Sequence, residues 1–331
     1  MQIQLTSINH ITTYRLFCKY LNNNHLIAIS GGQDSLYLVH LIENFYIKYS
    51  ENVKDVNNIS YIYIDHQWRK DSYQQIIHLI NYIKLTKKKI YIYQLPYKSL
   101  SENLCRLYRY NIINQHAIKH NQKFIITGHN KTDKLETFLR NFFRGSGTQG
   151  TTSLVIKSHM NKKQYLLRPL LNLKRDDIYW SCKKFNLPIW SDTTNYIYSF
   201  ERNRTRYELM PYLKKYFHNK IEDNINSLLK NCNQDNEYIR QNTMKLYLKI
   251  KHHKFVAMNY RKLKKQTFSL QLKVIQLFCT HNINLTPTYN QINTILLKMT
   301  YNQIYTNFQI KLGFLLLNIN HNWIYVTVNI I

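Results

Sequence analysis

The chain reads as an α/β protein, a doubly wound parallel sheet followed by a smaller, basic C-terminal domain. Three observations predict this. Short apolar runs alternate with helix-periodic segments as far as Phe143. Glycine is scarce, and six of the seven residues fall in three short clusters. Acidic residues stop at Glu237, whereas basic ones continue beyond it. At 331 residues and 44% hydrophobic content the chain can fill two cores.

The elements follow in order. A leading helix is expected around Tyr14–Phe17. Leu26–Ile29 predicts the first strand, followed by a helix through Leu36, Val39, Ile42 and Phe45. Ile59–Ile64 is the second strand, with a helix over Tyr73–Lys84. Ile90–Gln94 is the third, with a helix from Glu102 to about His120. Phe124–Thr127 is the fourth, with a helix from about Asp133 to Phe143. This spacing means a parallel sheet covered on both faces, with ligands beyond the carboxyl ends of the strands. After the loop Arg144–Ser153, Tyr165–Arg168 reads as extended and a helix runs from Lys174 to about Asn186. A basic helix is expected over Phe200–Leu209. The domains are expected at 1–217 and 218–331. The second holds helices near Ile221–Tyr247 and Leu270–Cys279 and a β-rich stretch, Phe308–Val328.

Composition narrows the function classes. Ile, Asn, Lys and Tyr are abundant and Ala occurs three times, a skew that suggests an AT-rich genome such as that of a plastid or a reduced bacterium. Lys and Arg total 46 against 18 acids, a formal net charge of +28. From Tyr238 onward there are twelve basic residues and no acid. Such a field attracts polyanions, and nucleic acid is the more economical partner. No amphipathic basic helix favours a membrane surface, and no run of about 18 apolar residues predicts a membrane span. Five cysteines without a C-x-x-C pair argue for a reducing compartment and against a structural zinc or iron–sulfur site. Met1–His10 has neither a signal core nor a transit-peptide character, so synthesis in the compartment of action is expected.

The glycine clusters carry the chemistry. Ser30-Gly31-Gly32-Gln33-Asp34-Ser35 lies between the first strand and its helix, where backbone N–H groups and a helix N-terminus make a phosphate cradle. It lacks the Gly-Lys-Ser/Thr ending of a Walker A loop. Gly128 and His129 end the fourth strand, and Asp133 and Glu136 lie three apart on one face of the next helix. Alone, such acids are often caps. In a phosphate crevice they favour a metal role. Arg144-Gly145-Ser146-Gly147, with Gly150 beyond, follows that helix and reads as a mobile basic cover. Nine of thirteen arginines fall between Arg106 and Arg206, where guanidinium forks suit phosphate or carboxylate contacts.

The Ser30–Ser35 segment resembles the pyrophosphate loop of the ATP pyrophosphatase superfamily. The further motifs are Asp65-His66-Gln67-Trp68-Arg69 with Ser72; Glu102, Arg106, Arg109 and Tyr110; Gly128, His129, Asp133, Glu136 and Thr137; Arg144–Gly147; Arg168–Leu171; Trp190, Asp192 and Asn195; and Arg202-Asn203-Arg204-Thr205-Arg206. In this order, over about residues 24–215, they resemble the tRNA(Ile)-lysidine synthetases. The resemblance implies an adenine nucleotide α-hydrolase-like sheet and a ligase. Free L-lysine would be joined to C2 of the wobble cytidine of CAU-anticodon tRNA(Ile), with ATP split to AMP and pyrophosphate. Codon reading would change from AUG to AUA.

The same resemblance implies the residue roles. Ser30, Gly31, Gly32, Gln33, Asp34 and Ser35 would bind ATP, and Asp34 and Asp133 would hold Mg²⁺. Asp34, His129, Asp133, Glu136 and Arg109 would be catalytic, with Glu136 orienting or deprotonating the lysine amine. Arg106, Arg144, Arg202 and Arg206 would contact tRNA or adenylate, and the acid-free tail would grip the tRNA backbone. A plastid stroma is the expected location, with the cytoplasm of an AT-rich bacterium as the alternative. The assembly leaves room for a homodimer.

Two positions depart from the family pattern. Thr132 stands where an aspartate often precedes Asp133, and Gly150-Thr151 replaces a Gly-Leu. The main rival is a tRNA thiolase on the same fold, a chemistry that calls for paired cysteines. GMP- or NAD-type synthetases act on small molecules and do not need so basic a surface. An inactive RNA-binding relative would not need Asp34, His129, Asp133 and Glu136 together.

Overall fold

The computed structural model describes Tyr20 and residues 23–49, 59–67, 72–95, 102–190, 201–301, 308–312, 315–320 and 322–328. The expected leading helix, Trp68, Arg69, Asp192 and Asn195 lie outside these. The chain divides into two compact units, Met1–Leu229 and Lys230–Ile331. The division falls inside one long helix, whereas the sequence reading set the domains at 1–217 and 218–331.

The first unit is built on strands β1 (His25–Ile29), β2 (Ile59–Asp65), β3 (Lys89–Gln94), β4 (Phe124–Thr127), β5 (Lys157–His159) and β6 (Tyr165–Leu167). They form one sheet in the order β3-β2-β1-β4-β6-β5. All neighbours are parallel except β5, which pairs antiparallel with β6. The chain moves outward from β1 to β3 and then returns to the other side of β1 as β4. The gap beyond the carboxyl ends of β1 and β4 is therefore the switch point where such sheets bind ligands.

Strand geometry sorts successive side chains to opposite faces, and the two cores obey it. Ile27, Ile29, Tyr61, Tyr63, Phe124 and Ile126 enter one cluster. Their sequence neighbours Leu26, Ile62, Ile64 and Ile125 enter the other. The first core takes the buried sides of α1 (Gln33–Tyr49), α2 (Ser72–Lys84) and α6 (Arg175–Lys184), and the second takes that of α3 (Glu102–Lys119). Burial on both faces of β1 and β2 explains why they are mostly apolar rather than alternating.

The remaining elements of this unit are α4 (Lys131–Phe143), a single turn α5 (Thr148–Thr151), α7 (Glu201–Arg204), a π-helical stretch Thr205–Leu209, α8 (Met210–Tyr216) and the start of α9 (Ile221–Ile250). The expected start of α4 at Asp133 is corrected to Lys131, because Asn130 caps the helix with a reciprocal capping box. The expected helix over Phe200–Leu209 is broken by the π-stretch and continues to Tyr216.

The second unit packs the rest of α9, α10 (Tyr260–Lys264), α11 (Phe268–Ile283) and α12 (Tyr289–Tyr301) around a core with β7 (Ala257–Asn259), β8 (Phe308–Leu312), β9 (Leu315–Asn320) and β10 (Trp323–Val328). Its antiparallel sheet has the order β7-β10-β9-β8. No described helix is long and apolar enough to cross a membrane.

Candidate active site

β1 delivers the chain to Ser30, and α1 takes it away at Gln33. Between them Gly31 has φ +76°, a left-handed conformation that side chains disfavour. Two contacts hold this turn from outside. Gln75 Nε2 of α2 donates to the Ser30 carbonyl at 2.9 Å, and the Trp190 amide donates to the Gly31 carbonyl at 3.2 Å. Inside the turn Ser35 Oγ donates to the Gly32 carbonyl at 2.9 Å, and Ser30 Oγ lies 3.3 Å from Ser35 Oγ.

The second glycine position is set against the first. A Cβ added at Gly128 would lie 3.2 Å from the backbone of Asp34 and 3.3 Å from the amide of Ser35. Only a bare backbone lets β4 end so close to the start of α1. Asn130, fully buried, exploits that approach. Its Nδ2 donates to Asp34 Oδ1 at 3.0 Å, and its Oδ1 accepts the Asp133 amide at 3.1 Å. Asp133 Oδ2 in turn accepts the Asn130 amide at 2.9 Å. The sequence reading passed over Asn130, although an Asn before a helical acid is the signal of an N-cap.

Four charged groups then interlock. Arg202 Nε donates to Glu136 Oε2 at 2.7 Å, and its terminal nitrogen pairs with Asp133. Arg206 Nε donates to Glu136 Oε1 at 2.7 Å, and its terminal nitrogen lies 3.5 Å from Asp133 Oδ1. The carboxylates are buried, while the Arg202 side chain is 43% exposed and that of Arg206 only 10%. Arg202 is thus the solvent-facing cation of the cluster.

Burial works to raise the Asp133 pKa, but Arg202, His129 and Arg206 together with the Asn130 amide outweigh it and hold the carboxyl below its usual range. Asp34 moves the other way, raised first by burial and then by the charge of Asp133. His129 Nδ1 lies 2.8 Å from Thr127 Oγ1. Burial lowers the His129 pKa to about 4; Asp133 opposes this, and Arg168, Arg202 and Arg109 add to it, so the ring is neutral at pH 7.

A crevice of about 290 Å³ opens beside the loop, lined by Ser30, Asp65, His66, Gln75, Arg109 and Arg202 among others. Arg109 has no carboxylate partner among the described residues. Burial, then the charges of Arg106 and Arg202, lower its pKa. A desolvated cation without a counterion is a site that wants an anion. Arg106 lies with its guanidinium 5.8 Å from the Tyr110 ring centroid.

Arg144 is not brought to the crevice. It is exposed and pairs with Glu201 at 3.4 Å. The loop it begins is partly ordered, with Asn141 Nδ2 donating to the Gly150 carbonyl at 2.8 Å. Arg168 bonds the Val155 carbonyl at 2.8 Å and Ser158 Oγ at 3.1 Å, and so ties the edge strand β5 to β6.

Among the described residues no group of three His, Cys, Asp or Glu could hold a metal alone. Magnesium usually takes only one or two carboxylates and completes its shell with phosphate and water, so the donor set fits Mg²⁺ bound together with a nucleotide. Asp34 is the better placed ligand, because both Asp133 oxygens are already engaged.

Replacing Asn130 separates the two jobs of this amide. Asn130→Ala should lower stability by about 0.5–2 kcal/mol, the usual value of an N-cap. Asn130→Asp keeps a capping oxygen but sets a second carboxylate against Asp34. It should raise the KM for ATP more than Asn130→Ala does and cost more stability, because a buried carboxylate then faces that of Asp34. Thermal unfolding and ATP titration of both variants check this.

The PP-loop domain family matches residues 5–213. The chloroplastic tRNA(Ile)-lysidine synthase of Gracilaria tenuistipitata var. liui is 47% identical over 91% of this chain and 92% of that protein. That of Pyropia yezoensis is 35% identical over 92% and 90%. Among solved structures, a U34-tRNA thiolase from Methanococcus maripaludis with a 4Fe-4S cluster superposes with a TM-score of 0.53 at 17% identity, over 67% of this chain and 78% of that one. At that identity the likeness shows the fold alone. With a PP-loop match over more than half its length and such close relatives, the chain belongs to the tRNA(Ile)-lysidine synthase family.

Proposed function

We propose that the chain joins free L-lysine to C2 of the wobble cytidine of a CAU-anticodon tRNA(Ile) at the expense of ATP. The observation that carries this reading is one crevice that holds a glycine-rich phosphate loop and an arginine, Arg109, without a carboxylate partner among the described residues, beside a clamped carboxylate pair, in a chain 47% identical to a tRNA(Ile)-lysidine synthase. The chloroplastic relatives support action in a plastid.

The reaction has two steps. The cytidine O2 attacks the α-phosphate of ATP, forming an O–P bond while the bond to pyrophosphate breaks. The lysine ε-amine then attacks C2, forming a C–N bond, and AMP leaves with the O2 oxygen. In the first step the amides of Ser30–Ser35 cradle the departing phosphates, and Arg109 meets the charge that grows on them. Mg²⁺, when bound, would neutralise part of that charge, and Asp34 would hold it.

In the second step the amine must lose a proton to become a nucleophile. Glu136 can receive it only after Arg202, the exposed partner, gives way, and Arg206 then keeps the carboxylate in place. Neutral His129 sits beside this cluster without adding charge. In the second unit the exposed Arg261, Lys262, Lys264 and Lys265 suit contact with RNA backbone, which positions without reading sequence.

Labelled lysine should enter a CAU-anticodon tRNA(Ile) transcript when ATP, Mg²⁺ and the purified protein are present. Asp34→Ala and Glu136→Ala should each reduce incorporation by about a hundredfold or more and leave tRNA affinity unchanged. Loss of tRNA binding in either variant would contradict its role. Replacing Arg261, Lys262, Lys264 and Lys265 by Gln should flatten the salt dependence of tRNA binding by about 0.9 in log–log slope for each that touches a phosphate. An unchanged slope would reduce this cluster to solvated surface.

A further inference from the structure

The short helix α7 separates two cavities. Arg202 faces the crevice, while its neighbours Glu201 and Arg204 line a second, open groove of about 410 Å³. Phe143, at the end of α4, and Tyr212, on α8, supply its aromatic walls, with Leu209 and Glu208 from the π-stretch between them in sequence. Phe143 is 63% exposed and Tyr212 54% exposed. A π-turn is rare and tends to occur at functional sites, where it displaces side chains from regular helical positions.

The aromatic surface continues past the groove. Phe142, Tyr216 and Phe217 are also exposed. The Tyr212 and Tyr216 ring centroids lie 4.8 Å apart, and Lys215 sits 5.0 Å from that of Tyr216. Exposed rings beside cations form the platform on which unpaired bases stack, at about 1–3 kcal/mol per base.

Position points to RNA rather than to a protein partner. Phe143 lies seven residues beyond Glu136 on the same helix, a rise of about 10 Å, which is about three nucleotides of a stacked strand and fewer once the strand is unstacked and extended. A strand that delivers one base to the crevice therefore has its neighbours within reach of the groove. The acids then say what is read. In a chain with 46 cations and 18 acids, this groove is lined by two carboxylates and a single cation, Arg204. The carboxylates repel phosphate and, being acceptors only, pair with exocyclic amines. Glu201 is engaged by Arg144, whereas Glu208 has no ion-pair partner among the described residues.

We propose that this groove holds an unpaired adenine, read through its exocyclic amine, from the strand that carries the reacting cytidine. The base lies against the aromatic walls Phe143 and Tyr212, and its amine donates to Glu208. The proposal rests on the RNA substrate argued above. In a CAU anticodon the nucleotide after the reacting cytidine is an adenosine, which carries such an amine.

The test is single-turnover lysine incorporation by the full chain into two RNAs, one with that adenosine and one with purine riboside, which lacks the amine, in its place. Wild type should prefer adenosine by about tenfold or more. Glu208→Ala should lose that preference. Tyr212→Ala should lower kcat/KM on both RNAs by about tenfold, and Tyr212→Phe should restore it. If Glu208→Ala keeps the wild-type preference, the proposal is overturned. It is equally overturned if Tyr212→Ala leaves both rates unchanged but alters the sedimenting mass, which would assign the patch to a second copy of the chain. Absence of incorporation by wild type would instead defeat the functional reading on which the proposal stands.

Discussion

The site depends on one buried amide. Asn130 joins the start of α1, through Asp34, to the start of α4, through Asp133. Each of these helices follows one of the two strands that flank the switch point of the sheet. The Asn130 contact holds the phosphate loop and the carboxylate helix at a fixed separation. Gly128 makes it possible by removing the side chain that would otherwise force the two apart. A neutral amide is the appropriate link, since it donates to one carboxylate and accepts from the amide that precedes another. A charged residue there could not do both.

From that link the electrostatics follow. Two acids on α4 would repel a triphosphate, and the fold answers with Arg202 on α7 and Arg206 on the π-stretch that follows it. The four groups nearly balance, and Arg109 lines the crevice without a carboxylate partner among the described residues. The arrangement is asymmetric in exposure, with Arg206 enclosed and Arg202 open. A buried charge cluster whose members are all paired is expensive to break by removing one partner. Exchange of one cation for another, as when an ammonium replaces a guanidinium, avoids that cost. Under the proposed function, the same exchange would let a carboxylate pair that is held in place receive an amine.

Much of this was legible in the sequence for physical reasons. The parallel sheet was visible because both faces of β1 and β2 are buried, which leaves mostly apolar runs. The loop was visible because a glycine-poor chain keeps glycine where geometry demands it, as at Gly31 and Gly128. Other features depend on distant partners. Asn130 meets Asp34 across 96 residues, and nothing local distinguishes it from an ordinary cap. The strand β5 is three residues long and two of them are exposed, so it carries no alternation to detect. The π-stretch keeps a helical pattern, and periodicity does not separate i→i+4 from i→i+5 bonding. The second aromatic groove arises only when Phe143 and Tyr212 are brought together by the fold.

The central claim is that ATP activates the RNA base before lysine takes part. Isotope exchange between pyrophosphate and ATP tests it most directly. With CAU-anticodon tRNA(Ile) present and lysine absent, labelled pyrophosphate should enter ATP, and it should not do so without the RNA. Exchange that needs lysine but no RNA would mean that the amino acid is adenylated instead, and would contradict the account.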